Sequence, residues 1–123
     1  PFAFSNAMWA KYGAALSDHA AFVDPKTKQP ATINVFQASG YNELLSSRGT
    51  TLDTIIGHGA RFAVCMLATR GIAGKAASLT GGKVDDIYKE LVENKIANAH
   101  MVPAGIVTVN RAQERGFSIS SVT

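Results

Sequence analysis

The sequence predicts an α/β fold, a three-layer sandwich in which helices cover both faces of a small parallel sheet. Two patterns point to it. Short apolar runs with strand character alternate with stretches of helical period, and the tight connections between them imply βα crossovers. The 123 residues are 46% hydrophobic, the balance of one soluble domain rather than of a disordered, fibrous or membrane chain. A chain of that length buries enough surface to fold as a single unit without disulfides or a structural metal.

The elements follow in order. Ser5 or Asn6 is a good N-cap, and Met8, Trp9, Tyr12 and Leu16 recur at helical spacing, so a first helix is expected to about Ser17. From Asp24 to Gly40 the residues Pro25, Lys26, Lys28, Pro30 and Asn34 punctuate the chain without a sustained period, which predicts a long surface loop. Thr51 to His58 is expected to form a short helix with Leu52, Ile55 and Ile56 on one face and Gly59 as its stop. The apolar run from Arg61 to Met66 predicts a central strand, and the small and apolar residues from Ala68 to Leu79 a closely packed helix ended by Gly81-Gly82. Val84, Ile87, Tyr88, Leu91 and Val92 fall at i, i+3, i+4, i+7 and i+8, an amphipathic helix. Ala99 to Val102 is expected to be a second strand, Ala104 to Arg115 a helix closed by Gly116, and Phe117 to Val122 a third strand alternating apolar residues with Ser. Three strands make a thin sheet, and the apolar Pro1-Phe2-Ala3-Phe4 opens abruptly, so a first strand is expected upstream of Pro1 or an edge completed by a partner.

Composition removes several function classes. The 12 basic and 9 acidic residues give +3, but the basic ones are scattered, so no nucleic-acid footprint forms despite a pI of about 9.2. No apolar run approaches a membrane span. His19, His58 and His100 stand far apart and Cys65 is the single cysteine, so no metal-ligand spacing and no internal disulfide arise. No Ser/His/Asp set and no nucleotide or other cofactor fingerprint emerges.

Candidate chemistry gathers at the carboxyl ends of the strands, where an open parallel sheet binds its ligands. Cys65 lies near that end, and a thiol beside the start of the next helix is drawn toward thiolate by the free N–H groups there. Arg70 would add positive charge. The alternative is that Cys65 is a small buried hydrophobe in an apolar strand. Pro103 and Gly105, in Val102-Pro103-Ala104-Gly105, form a turn suited either to close approach by an anion or simply to a tight βα connection. Asn6 and Trp9 open the first helix and would face the same rim if a strand preceded it, although Trp9 equally suits a core. His58, at a helix end, is the histidine considered as a base for Cys65, against a purely structural helix-end role.

Asn6-Ala7-Met8-Trp9-Ala10-Lys11-Tyr12, Asp24-Pro25-Lys26-Thr27-Lys28-Gln29-Pro30-Ala31, Phe62-Ala63-Val64-Cys65, Met101-Val102-Pro103-Ala104-Gly105-Ile106-Val107 and Asn110-Arg111-Ala112-Gln113-Glu114-Arg115-Gly116-Phe117 together resemble the DsrE family. The resemblance spans nearly the whole chain, is most specific toward the C-terminus, and is strongest to an uncharacterised branch whose members commonly carry a twin-arginine export signal. It implies a first strand upstream of the segment matching Pro1 to Phe4. From the DsrE and TusD sulfur carriers it implies a persulfide held on a cysteine after a central strand, with Cys65 in that position, a thiol partner protein, and assembly as a trimer or hexamer. The carriers follow their cysteine with alanines and a basic pair before glycine, whereas here Cys65-Met66-Leu67-Ala68-Thr69-Arg70-Gly71 is shorter and keeps one arginine. The expected function is sulfane-sulfur handling through Cys65; the alternative is a non-catalytic oligomeric binding or assembly module. The export signal implies the periplasm or cell envelope, the alternative being the cytoplasm.

Overall fold

The computed structural model describes residues 1–38, 40–41 and 50–120. Its elements run α1 (Asn6–Ala20), α2 (Leu52–Gly57), β1 (Phe62–Cys65), α3 (Met66–Thr80), α4 (Val84–Glu93), β2 (Ala99–Val102) and α5 (Gly105–Glu114). The two strands pair in parallel, with Phe62 opposite Ala99 and Cys65 opposite Val102. This is a small α/β fold in which α3 and α4 form the crossover.

Helix α1 is the centre of the core. Met8, Trp9, Tyr12, Ala15 and Leu16 form its buried stripe, and it continues to Ala20 before Ala21 turns left-handed at φ 50°. Helix α3 meets it with Thr69, Ile72, Ala73 and Ala76, buried at i, i+3, i+4 and i+7. The alanines permit close approach. Helix α4 closes the other side of α3 with Ile87 and Leu91, as its amphipathic period predicts.

Among its described residues the segment from Asp24 to Gly40 forms no helix or strand and is exposed from Lys26 to Pro30, as expected, but it is not a surface loop throughout. Ala31, Asn34 and Val35 are wholly buried within it. Backbone polar groups can enter a core only if they are paired, and Asn34 provides the pairing. Its Nδ2 donates to the carbonyls of Phe2 (2.6 Å) and Phe4 (2.9 Å), its Oδ1 accepts from the Phe36 N–H, and its own N–H donates to Asn6 Oδ1. Ser17 Oγ accepts from the Ala31 N–H, and buried Asp24 accepts from the Lys26 N–H and the Tyr41 hydroxyl. The loop lies so close to α1 that a Cβ on Gly13 would run into the Ala31 carbonyl oxygen.

Several boundaries move. The central strand ends at Cys65 and α3 begins at Met66, inside the run assigned to the strand; Met66 and Leu67 are apolar but exposed, and the buried face of the helix starts at Thr69. Helix α2 is capped by Thr51, whose Oγ1 accepts from the Thr54 N–H, and buries none of its side chains fully. Residues 117–120 are not a strand: they pair with neither β1 nor β2 and are exposed, while 121 and 122 of that expected strand lie outside the described residues. Among the described residues the sheet has two strands, and alternation of apolar and polar residues alone does not make a third. Phe4, by contrast, forms an antiparallel bridge to Lys95 and is buried. Phe4 and Trp9 are in the core, and Phe2 packs edge-on against Phe36 and Phe62.

Candidate functional site

Cys65 occupies the joint between β1 and α3, the last residue of the strand and the N-cap of the helix. Its extended backbone (φ −70°, ψ 121°) leaves the first N–H groups of α3 without intrahelical partners. Because β2 lies in register beside β1, the start of α5 is delivered to the same point, and a Cβ on Gly105 would meet Cys65 Cβ at 3.9 Å. Two helix N-termini therefore converge on one thiol. The backbone N–H of Ala68, then that of Gly105, hold the thiol below its ordinary range; partial burial opposes them and the Leu67 N–H adds to them. Cys65 makes no side-chain capping hydrogen bond, so the stabilisation is attraction between thiolate and N–H dipoles. Thr69 fixes the joint by donating its hydroxyl to the Cys65 carbonyl at 2.9 Å.

Cys65 also forms part of the wall of a cavity of about 150 Å³ between the N-terminal segment, β1 and α3. Phe2, Phe4, Val64 and Ile72 make most of that wall apolar, and Thr69 and His19 are its polar members beside the cysteine. His19 comes from the last turn of α1. Nothing in the local sequence links it to Cys65, and only the packing of α1 on α3 brings it to the same cavity; His58, the histidine weighed for that part, is exposed at the end of α2.

The other candidates are distributed differently. Gly105 stands against Cys65, and Pro103 is exposed in the turn before α5. Asn6 is occupied in accepting from the Asn34 N–H. Trp9 is wholly buried in the core and is not part of the cavity wall; its indole N–H has no acceptor among the described residues. Arg70 pairs with Asp85 and lies over the Tyr88 ring, so its charge is spent on α4 and the groups acting on the thiol are main-chain N–H groups.

A second polar cluster joins α1 to α4. Glu90 accepts from Lys11 Nζ at 2.7 and 2.9 Å and from the Tyr12 hydroxyl. Lys11 first and Tyr12 second hold the Glu90 carboxyl below its ordinary range, while burial and then the Glu90 contact push the Tyr12 hydroxyl up. Among the described residues no three His, Cys, Asp or Glu side chains are grouped to hold a metal ion, and no helix is long and apolar enough to cross a membrane. Compared with protein-family models, with curated proteins and with solved structures, the chain matches none of them.

Proposed function

We propose that the chain is a DsrE-like sulfur-handling protein in which Cys65 accepts a sulfane sulfur as a persulfide and passes it to a partner thiol. The observation that carries this reading is the convergence of the Ala68 and Gly105 N–H groups on a partly exposed thiol whose pKa they lower. A persulfide is a stronger acid than a thiol and is anionic at neutral pH, so the dipoles that favour the thiolate favour the loaded form as well. The three-layer sandwich, the trimer or hexamer and the cell-envelope location belong to the same proposal. Incubation with a sulfane donor followed by intact mass spectrometry is expected to show addition of one sulfur to the wild type and none to Cys65→Ser. Absence of the adduct from both ends the reading.

A non-catalytic assembly module is the second reading, and the exposed apolar side chains of Leu67, Ile106, Val107 and Phe117 favour it. Light scattering of Cys65→Ala separates the two: an oligomer that survives the substitution fits assembly without chemistry only where wild type also fails to take up sulfur.

A further inference from the structure

The wall of the cavity beside Cys65 bears on which sulfur donor fits there. Phe2 and Phe4 supply aromatic surface and Val64 and Ile72 aliphatic surface. Among the described residues the titratable side chains of the lining are Cys65 and His19, with no lysine or arginine. A doubly charged inorganic donor such as thiosulfate would lose hydration against the aromatic and aliphatic part of that wall. An apolar cavity of about 150 Å³ is, in contrast, the size that holds a benzene ring.

We infer that the cavity takes a small apolar group, up to the size of a phenyl ring, carried by an organic thiosulfonate donor, an inference that rests on the persulfide reading of Cys65. The ring packs among Phe2, Phe4 and Ile72 while the terminal sulfur reaches the Cys65 thiolate. The transfer balances without an added oxidant. Cys65–S⁻ attacks the sulfane sulfur of R–SO₂–S⁻, a sulfur–sulfur bond forms at Sγ, the bond to the sulfonyl sulfur breaks, and its electron pair leaves with the sulfinate R–SO₂⁻. Cys65 is left as Cys65–S–S⁻, and the proton of the resting thiol has gone to solvent.

The test compares two monoanions of the same reacting group, benzenethiosulfonate and methanethiosulfonate, with each rate divided by that of free cysteine. The wild type is expected to favour the phenyl donor by about tenfold or more, the scale of discrimination that a few methylenes' worth of apolar contact provides. Ala68→Leu, which fills the cavity from the first turn of α3, is expected to remove the preference; Ala63→Ile on β1 does the same where Ala68→Leu fails to fold. A normalised preference near one, with persulfide still formed, overturns the inference and leaves the persulfide reading standing. Persulfide from neither donor overturns the reading and the donor class together. The cavity is then judged separately, by whether benzyl alcohol slows carboxamidomethylation of Cys65 saturably in the wild type and not in Ala68→Leu. Absence of that protection overturns ring binding itself.

Discussion

The two halves of this molecule are built to different standards. Around α1, residues 31–38 with Tyr41, α3 and α4 interlock with their largest side chains fully enclosed, Trp9, Leu16, Ile72 and Leu91 among them. Around β2 and α5 the opposite holds: α5 buries none of its side chains fully, and Ile106 is 69% exposed and Phe117 67%. The first half holds the stability and the second completes the thiol site. The division has a physical sense, because a group that must meet a reactant needs access, and loosely packed elements supply it.

The largest way to break the comparison is in the packed half. Trp9→Ala leaves a cavity among rigid neighbours and is expected to cost about 3–5 kcal/mol, read as a fall in the urea midpoint. Gly13→Ala places a methyl group into the Ala31 carbonyl and is expected to cost about 1–3 kcal/mol by forcing the loop away from α1. A Gly13→Ala protein as stable as wild type would show that this loop does not belong to the core.

Tyr12→Phe removes one hydroxyl from Glu90 and is expected to cost about 1 kcal/mol near neutral pH. The pH dependence sharpens the assignment. Glu90 has a folded pKa below its unfolded one, so its contribution is present above the ordinary glutamate range and is lost as pH falls through the lowered value. Asp24 acts in the same direction: burial pushes it up, but the Lys26 N–H, the Tyr41 hydroxyl, the Thr27 N–H and the Lys26 charge together outweigh that. Stability should therefore fall in acid below the usual carboxylate range, and urea titrations at descending pH should show a shallower fall in Tyr12→Phe.

In the thin half the effects fall on reactivity. Gly105 is the first residue of α5, a position that tolerates proline, and the extended Ala104 before it (φ −147°, ψ 134°) is the backbone proline requires of its predecessor. Gly105→Pro deletes one of the N–H groups acting on Cys65, so the pH midpoint of iodoacetamide alkylation should rise toward that of an ordinary thiol while the fold is kept. An unchanged midpoint would leave α3 as the sole source of activation. The smallest effect is expected at Ile106→Ser, within about 0.5 kcal/mol of wild type in urea. A loss of several kcal/mol there would mean that α5 is covered in solution.

The elements most legible in the sequence were those whose period matched a single buried face. Val84, Ile87 and Leu91 announced α4, and the apolar run ending at Cys65 followed by small residues announced β1 and α3, with their junction misplaced because Met66 and Leu67 are apolar whether they end a strand or open a helix. The meeting of Cys65 with Gly105 followed from the rule that loops gather at the carboxyl edge of a parallel sheet. Asn34 was illegible as a core residue, since a polar side chain inside a proline-rich stretch signals a turn unless its backbone partners are known. Phe117, Ile119 and their serines carried a strand pattern, but alternation does not encode whether a segment is brought to a sheet edge. His19 had no signal: only tertiary packing places it on the cavity of Cys65.

The register of the sheet also makes the nucleophile conditional. Gly105 reaches Cys65 because Val102, three residues before it, is locked opposite Cys65 in the ladder. That ladder is four residue pairs long and, among the described residues, has no third strand to brace it. If β2 peels away locally, the second helix terminus leaves with it, and the thiol reverts toward an unassisted one without any change at Cys65 itself. Amide exchange at Gly105 and alkylation at Cys65 would then rise and fall as mirror images, and any partner that grips β2 or α5 would set the acidity of a sulfur atom it never touches.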